Sequence, residues 1–202
     1  MNMLKQGILW IFLLLLPLQV LAETEKPDAV LEENVNKVLD TLNEEGGAIR
    51  QQPERLHQVV DGMVLPLIDF EAMSKLTLAK HWKKATPEQR KAFVSAYRDM
   101  LVRAYTNSLA EFAGQTIRFF PERTRLDGKY ATVYSELVPG NGKPNKAVKY
   151  SMREKNGRWQ VYDITIDGLS FVKNYRTSFG KEISNNGLDA LIKRLKTGDD
   201  FS

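Results

Sequence analysis

Apolar residues recur at three- and four-residue spacing in the first half of the chain and at two-residue spacing in much of the second. Val30, Leu31, Val35, Val38, Leu39 and Leu42 predict an amphipathic helix over 29–45, ended by Gly46-Gly47. Pro53 opens a second helix in its first turn, with Leu56, Val59, Val60, Met63 and Val64 along one side, until Pro66 breaks the run. Asp69 stands where it can cap a short third helix through Phe70, Met73 and Leu76. The strongest local pattern starts at Thr86-Pro87-Glu88-Gln89, a capping box with proline at the first helical position. Phe93, Tyr97, Met100, Leu101, Ala104, Tyr105, Leu109 and Phe112 then form one apolar stripe, which Gly114 closes. At 1.5 Å per residue this helix, 87 to about 113, is roughly 40 Å long and crosses a whole domain.

From residue 116 the texture turns to β-branched and aromatic runs: 116–120, 130–137, 146–154 and 158–166. Asp127-Gly128, the loop 139–145 and Asn156-Gly157 separate them, and the last is a strong two-residue hairpin signal. Consecutive hairpin-linked strands give an antiparallel sheet, and helical spacing returns from Leu169 to the end. Helices, then strands, then helices predict an α+β fold. Its expected form is a twisted antiparallel sheet of about four strands with helices packed on the concave face. No repeat or linker divides residues 23–202, so one domain is expected.

The N-terminus changes the picture of where this domain works. Lys5 precedes an apolar stretch from Ile8 to Val20, and Val20-Leu21-Ala22 suits signal cleavage after Ala22. Roughly 13 apolar residues fall short of the ~20 that span a bilayer. An exported, periplasmic protein is therefore expected. With no cysteine in the chain there are no disulfides, and stability must come from burial. The formal charge of +4 is mild. The second half carries Arg118, Arg123, Arg125, Lys129, Lys143, Lys146, Lys149, Arg153, Lys155 and Arg158. A solvated surface explains them, export argues against nucleic acid, and attraction to an anionic membrane or an acidic partner is the second reading.

Enzymatic chemistry finds little support. His57 and His81 are far apart and outside any metal-ligand spacing. No Gly-x-Ser-x-Gly elbow occurs, and Gly140-Asn141-Gly142-Lys143 lacks a strand–loop–helix frame for a phosphate loop. Asp163 stays open as a base in isomerase or dehydratase chemistry, since a strand aspartate can project into a conical fold's cavity. Its plainer reading is a cap or ion pair, and Asp167-Gly168 reads as a turn. Strict alternation puts Asp163 with Trp159 and Val161, opposite Tyr162, Ile164 and Ile166. What remains is apolar mass without chemistry. Composition alone favours a solid core, as in a structural adaptor, over a lined cavity.

Trp82-Lys83-Lys84-Ala85-Thr86-Pro87-Glu88-Gln89-Arg90 leading into Phe93, with Tyr97 and Tyr105, resembles one family. So does the block from Trp159 through Asp163, Gly168, Asn174-Tyr175-Arg176 and Phe179 to Gly187-Leu188-Asp189. In order and over the mature chain these residues are similar to the MlaC family, also called the toluene-tolerance Ttg2 auxiliary family. The resemblance implies an NTF2/cystatin-like fold with an apolar cavity, phospholipid as cargo, and no cofactor or metal. It further implies a monomeric shuttle of the Mla pathway that maintains outer-membrane lipid asymmetry. Its partners would be an inner-membrane ABC transporter complex with an MCE-domain subunit and an outer-membrane lipoprotein–porin complex. For such a carrier the candidate lining comprises Leu65, Leu67 and Ile68 at the break, Met73 and Leu76 on the third helix, and five long-helix residues. Those five are Phe93, Tyr97, Met100, Leu101 and Tyr105. The sheet adds Val133, Tyr150, Tyr162, Ile164 and Ile166, and the following helix Phe171, Val172 and Tyr175. Phe171 stands where family members often have leucine, so cavity width is expected to differ.

Overall fold

A computed structural model of the chain describes residues 25–45, 49, 51–139 and 142–198. The signal segment, its cleavage point, the Gly46-Gly47 stop and Gly140-Asn141 lie outside the described residues. Helix α1 (Pro27–Glu45) buries Leu31, Val38, Leu39 and Leu42. Helix α2 (Pro53–Val59) does not stop at once. It widens into a π turn over Val60–Val64 and tightens into a 3₁₀ turn over Leu65–Leu67. Pro66, which cannot donate an N–H, sits in that last turn. Ile68 then becomes extended and bridges Val161 in the sheet.

Helix α3 (Phe70–Leu78) starts at Asp69, whose Oδ1 accepts from the Ala72 N–H at 2.9 Å. A five-residue helix, α4 (Lys80–Lys84), follows; its length is too short for a sequence period to reveal. Helix α5 (Pro87–Leu109) has the expected capping box at Thr86 and Gln89. It ends four residues earlier than expected, in a 3₁₀ turn over Ala110–Phe112.

The sheet contains β1 (Thr116–Phe119), β2 (Arg125–Asp127), β3 (Tyr130–Val138), β4 (Lys146–Lys155), β5 (Arg158–Ile166) and β6 (Leu169–Ser170). All pairings are antiparallel, in the order β1-β3-β4-β5-β6, with β2 against the start of β3. The four expected strands are present. The two extra ones, of three and two residues, are too short to alternate visibly. Asn156 and Gly157 both take positive φ between β4 and β5, as the two-residue turn requires. Asp167-Gly168 turns the same way, and Asp167 accepts from the Ala147 N–H at 3.0 Å. Hence Leu169 is not in the helix expected from it: it belongs to β6 and is 76% exposed. Helix α6 (Phe171–Asn186) follows, then α7 (Leu188–Thr197).

Strict alternation along β5 also fails, for one physical reason. Met152 pairs with Val161 but Ser151 pairs with Asp163, so Tyr162 is an extra residue in a β-bulge. The bulge reverses parity. Trp159 and Val161 before it, and Ile164 and Ile166 after it, share the apolar face of Val148, Tyr150 and Met152. Asp163 is opposite that face, paired with Ser151. Tyr162, expected to point inward, instead meets the Tyr130 ring edge-on at 6.3 Å.

Apolar burial divides into three clusters. One couples α1 to the inner sheet face, through Leu31, Val133, Tyr150, Met152 and Val161. One joins α3, α5, α6 and α7, through Phe93, Tyr97, Phe179 and Leu191. The third packs α1 on α2 and the end of α5, through Leu42, Leu56, Val59 and Ala110.

Asp69 ties the helical layer to the sheet. Its carboxylate is buried, pairs with Arg153 of β4, and caps α3, while its N–H donates to the Val161 carbonyl at 2.8 Å. Asp69→Ala should remove the cap and strand Arg153, lowering stability by about 2–3 kcal/mol. Urea unfolding followed by circular dichroism checks the value.

Candidate functional site

The apolar stripe of α5 is packed at one end and open at the other. Phe93 and Tyr97 are 0% exposed, whereas Met100, Leu101 and Leu109 are half-buried and Tyr105 is 42% exposed. The inner sheet face behaves alike: Val133, Met152 and Val161 are buried, while Ile164 and Ile166 remain half-open. At the Pro66 break, Met63, Val64, Leu65 and Leu67 are also half-open. The break contacts β5, α6 contacts β5, and α2 contacts α5, so these margins adjoin. Ile68 packs on both the sheet and helical clusters, and Phe112 on both the sheet and third clusters. A solid core would close these margins; here apolar side chains stay partly open beside the clusters.

Aromatic side chains close one side of this region. Tyr105 and Tyr175 join hydroxyls across α5 and α6 at 3.1 Å, and the Tyr105 ring lies 5.1 Å from Phe171. Tyr175 also packs on Tyr97 at 5.5 Å and Phe179 at 5.2 Å, linking the exposed rim to the buried cluster. Burial, then the neighbouring Tyr105, raises the Tyr175 phenol well above its ordinary pKa; burial does the same for Tyr97. Both stay neutral at any physiological pH. Their contribution is shape and hydrogen bonding, not charge.

Asp163 stands beside this wall, but its carboxylate is committed. Oδ2 accepts from the Ser170 hydroxyl at 2.6 Å and Oδ1 from the Val172 N–H at 3.0 Å. The Ser170 oxygen in turn accepts from the Lys173 N–H at 3.0 Å. Two side chains thus satisfy the free N–H groups of α6. This is the cap arrangement that the sequence left open beside a catalytic base. Among the described residues, no cluster of His, Asp or Glu could hold a metal.

The structure brings together Leu65, Leu67, Met100, Leu101, Tyr105, Ile164, Ile166, Phe171 and Tyr175 as half-open or rim positions, with Ile68 at the junction of two clusters. Phe93, Tyr97 and Val133 have no accessible surface, and Met73, Tyr150 and Val172 almost none. These six are packed into the clusters, whereas the half-open positions keep surface of their own. Leu76 is exposed on α3, and Tyr162 is turned to the other sheet face by the bulge. Sequence reasoning did not select Met63, Val64, Leu109 or Phe112 as lining. Their signal was there: all four prolong apolar stripes beyond the point where a partner element covers them.

Three comparisons bear on this geometry. The model of the MlaC protein family matches residues 32–197, and the chain belongs to that family. It is 27% identical over 189 residues to the toluene tolerance protein Ttg2D of Pseudomonas putida, covering 93% of this chain and 86% of that protein. It is 22% identical over 178 residues to the intermembrane phospholipid transport system binding protein MlaC of Haemophilus influenzae, covering 87% and 83%. The phospholipid-binding protein of Ralstonia solanacearum, solved with a phospholipid bound, superposes with a TM-score of 0.76. It is 28% identical, over 86% of this chain and 97% of its own.

Asp163→Asn should lower stability by about 1–3 kcal/mol, because the amide can no longer accept on both oxygens as a carboxylate does. Thermal and urea unfolding of the variant, with lipid content measured on the folded fraction, checks this. Lipid content should be unchanged.

Proposed function

We propose that this member of the MlaC family is a periplasmic carrier that holds phospholipid by its acyl chains and moves it between the outer and inner membranes. The half-open apolar margins around Met100, Ile164 and Leu67 carry the reading. Exposing an acyl chain to water costs about 0.8 kcal/mol per CH₂, so a diffusing lipid needs its tails enclosed. The headgroup needs no such shelter. It stays in solvent at the mouth, and selectivity among headgroups is accordingly weak. The Ralstonia relative, which this chain matches over nearly its whole length and which was solved with a phospholipid bound, supports the same cargo here.

On this reading the signal segment is cleaved after Ala22, and residues 23–202 form the working domain. The chain acts as a monomer in maintaining outer-membrane lipid asymmetry. It receives and delivers lipid at an outer-membrane lipoprotein–porin complex and an inner-membrane ABC transporter with an MCE-domain subunit. The commitment of both Asp163 oxygens to α6 favours a carrier over an isomerase or dehydratase.

Native mass spectrometry of the purified mature protein tests the proposal directly: phospholipid should accompany it, and its absence from an extract would count against carriage. Ile164→Trp sharpens the test. In a filled core the added volume should cost about 1–3 kcal/mol. In a cleft it should displace an acyl chain, so lipid per folded molecule falls by at least about half while the delipidated protein melts no lower than wild type.

A further inference from the structure

Four of the ten cations named in the sheet half of the chain are engaged by carboxylates of the fold. Arg118 pairs with Glu136, Arg153 with Asp69, Lys155 with Glu71 at 3.0 Å, and Lys129 reaches Glu154 at 4.0 Å. A different group of cations is not. Lys75, Lys80, Lys83, Lys84, Lys91 and Lys181 are all exposed, and none has a carboxylate within 4.0 Å among the described residues.

These six share one surface, organised by the short helix α4. On one side of α4 a groove of about 660 Å³ is walled by Lys75, Lys91, Arg90 and Trp82. On the other a groove of about 450 Å³ is walled by Lys80, His81 and Lys181. The acids near this surface are already engaged. Glu71 holds Lys155, Asp99 holds Arg98 at 3.0 Å, and Glu182 holds Arg194 at 3.3 Å. Glu88 is bound into the α5 cap by backbone and Thr86 contacts. His81 reports the resulting field: burial, then Lys80 and Lys84, push its pKa below the ordinary histidine value.

We propose that the α4 surface is a docking face for an anionic lipid bilayer, on which the carrier rests reversibly beside its membrane targets. The side-chain chemistry favours a diffuse anionic surface over a protein socket. Lysines are mobile point charges without the planar fork that selects individual carboxylates. The guanidinium of Arg90 is already spent, stacked over Trp82 at 5.4 Å and donating to the Trp82 carbonyl at 3.0 Å. Trp82 is half-buried among the lysines, a side chain suited to the headgroup level of a membrane. Attraction of this kind is weak per charge and screened by salt, so a shuttle can leave again. The purpose assigned to the contact rests on the carrier reading; the contact itself does not.

The test uses the mature, lipid-loaded protein and cosedimentation with vesicles of phosphatidylcholine alone or mixed with phosphatidylglycerol, at low and high salt. Wild type should sediment with the mixed vesicles only, and high salt should release it. The triple variant Lys80→Gln/Lys83→Gln/Lys84→Gln should partition about a hundredfold more weakly, at about fivefold per lysine. A control triple, Lys143→Gln/Lys146→Gln/Lys149→Gln, should bind as wild type. Equal loss in both triples would reduce the effect to net charge and overturn the proposal. So would a Lys80/83/84 variant that still binds, or a wild type that ignores vesicles yet binds poly-glutamate, which would assign the face to an acidic protein. Lipid extracted from the same preparations is scored separately. Empty protein that docks would sink the carrier reading and leave the docking face standing.

Discussion

One extra residue in β5 decides which side chains make up the interior. Without the bulge at Tyr162, the run from Trp159 to Ile166 would put either its first or its second half of apolar residues on the outer face. With it, Trp159, Val161, Ile164 and Ile166 all join the face of Val148, Tyr150 and Met152. The same irregularity turns Asp163 away from that face to the N-terminus of α6, where a carboxylate completes a cap. Apolar lining and helix anchoring therefore come from a single backbone feature.

The helical layer is held by a different device. After Pro66 the chain leaves helical geometry, and Ile68 and Asp69 run alongside Val161 before α3 begins. Asp69 then makes a cap, a strand-like hydrogen bond and an ion pair with Arg153 within one residue. Burying a carboxylate is costly unless it is paired and hydrogen-bonded, and here each oxygen has a donor, Ala72 N–H on one and Arg153 on the other. The consequence is that α3 and the helices packed on it stand at the edge of β5 without lying flat across the whole inner face. The open margins at Met100, Leu67 and Ile164 follow from that stand-off.

Much of this was legible in the sequence, for identifiable reasons. Long periodic segments with strong end signals, such as α5 with its capping box and the β4–β5 hairpin at Asn156-Gly157, impose their own geometry locally. The expected α+β order holds for the same reason. The short elements α4, β2 and β6 carry less than two periods each and left no pattern to detect. The bulge was invisible because its cause is pairing between Ser151, Met152 and their partners across the ladder, and not any composition of β5 alone. For the site, sequence identified apolar stripes but not where packing stops along them. Phe93 and Met100 look alike as stripe residues, yet one has no accessible surface and the other keeps some. That difference depends on which helix covers which turn, a tertiary fact.

Separation of apolar and charged work follows from the same layout. A cleft whose phenols stay neutral and whose nearest carboxylate is tied to a helix end exerts no strong pull on a headgroup. Affinity for a lipid then comes from tail burial, which scales with chain length and is indifferent to the charge at the mouth. Charge is left for the outside. There four of the sheet's cations pair with carboxylates of the fold, while the lysines around α4 have no carboxylate within 4.0 Å among the described residues. A protein that must hold an apolar cargo firmly and a surface loosely gains from keeping the two forces on different elements. Salt weakens an electrostatic contact without weakening hydrophobic burial, so on the proposed reading docking and cargo holding respond to different conditions.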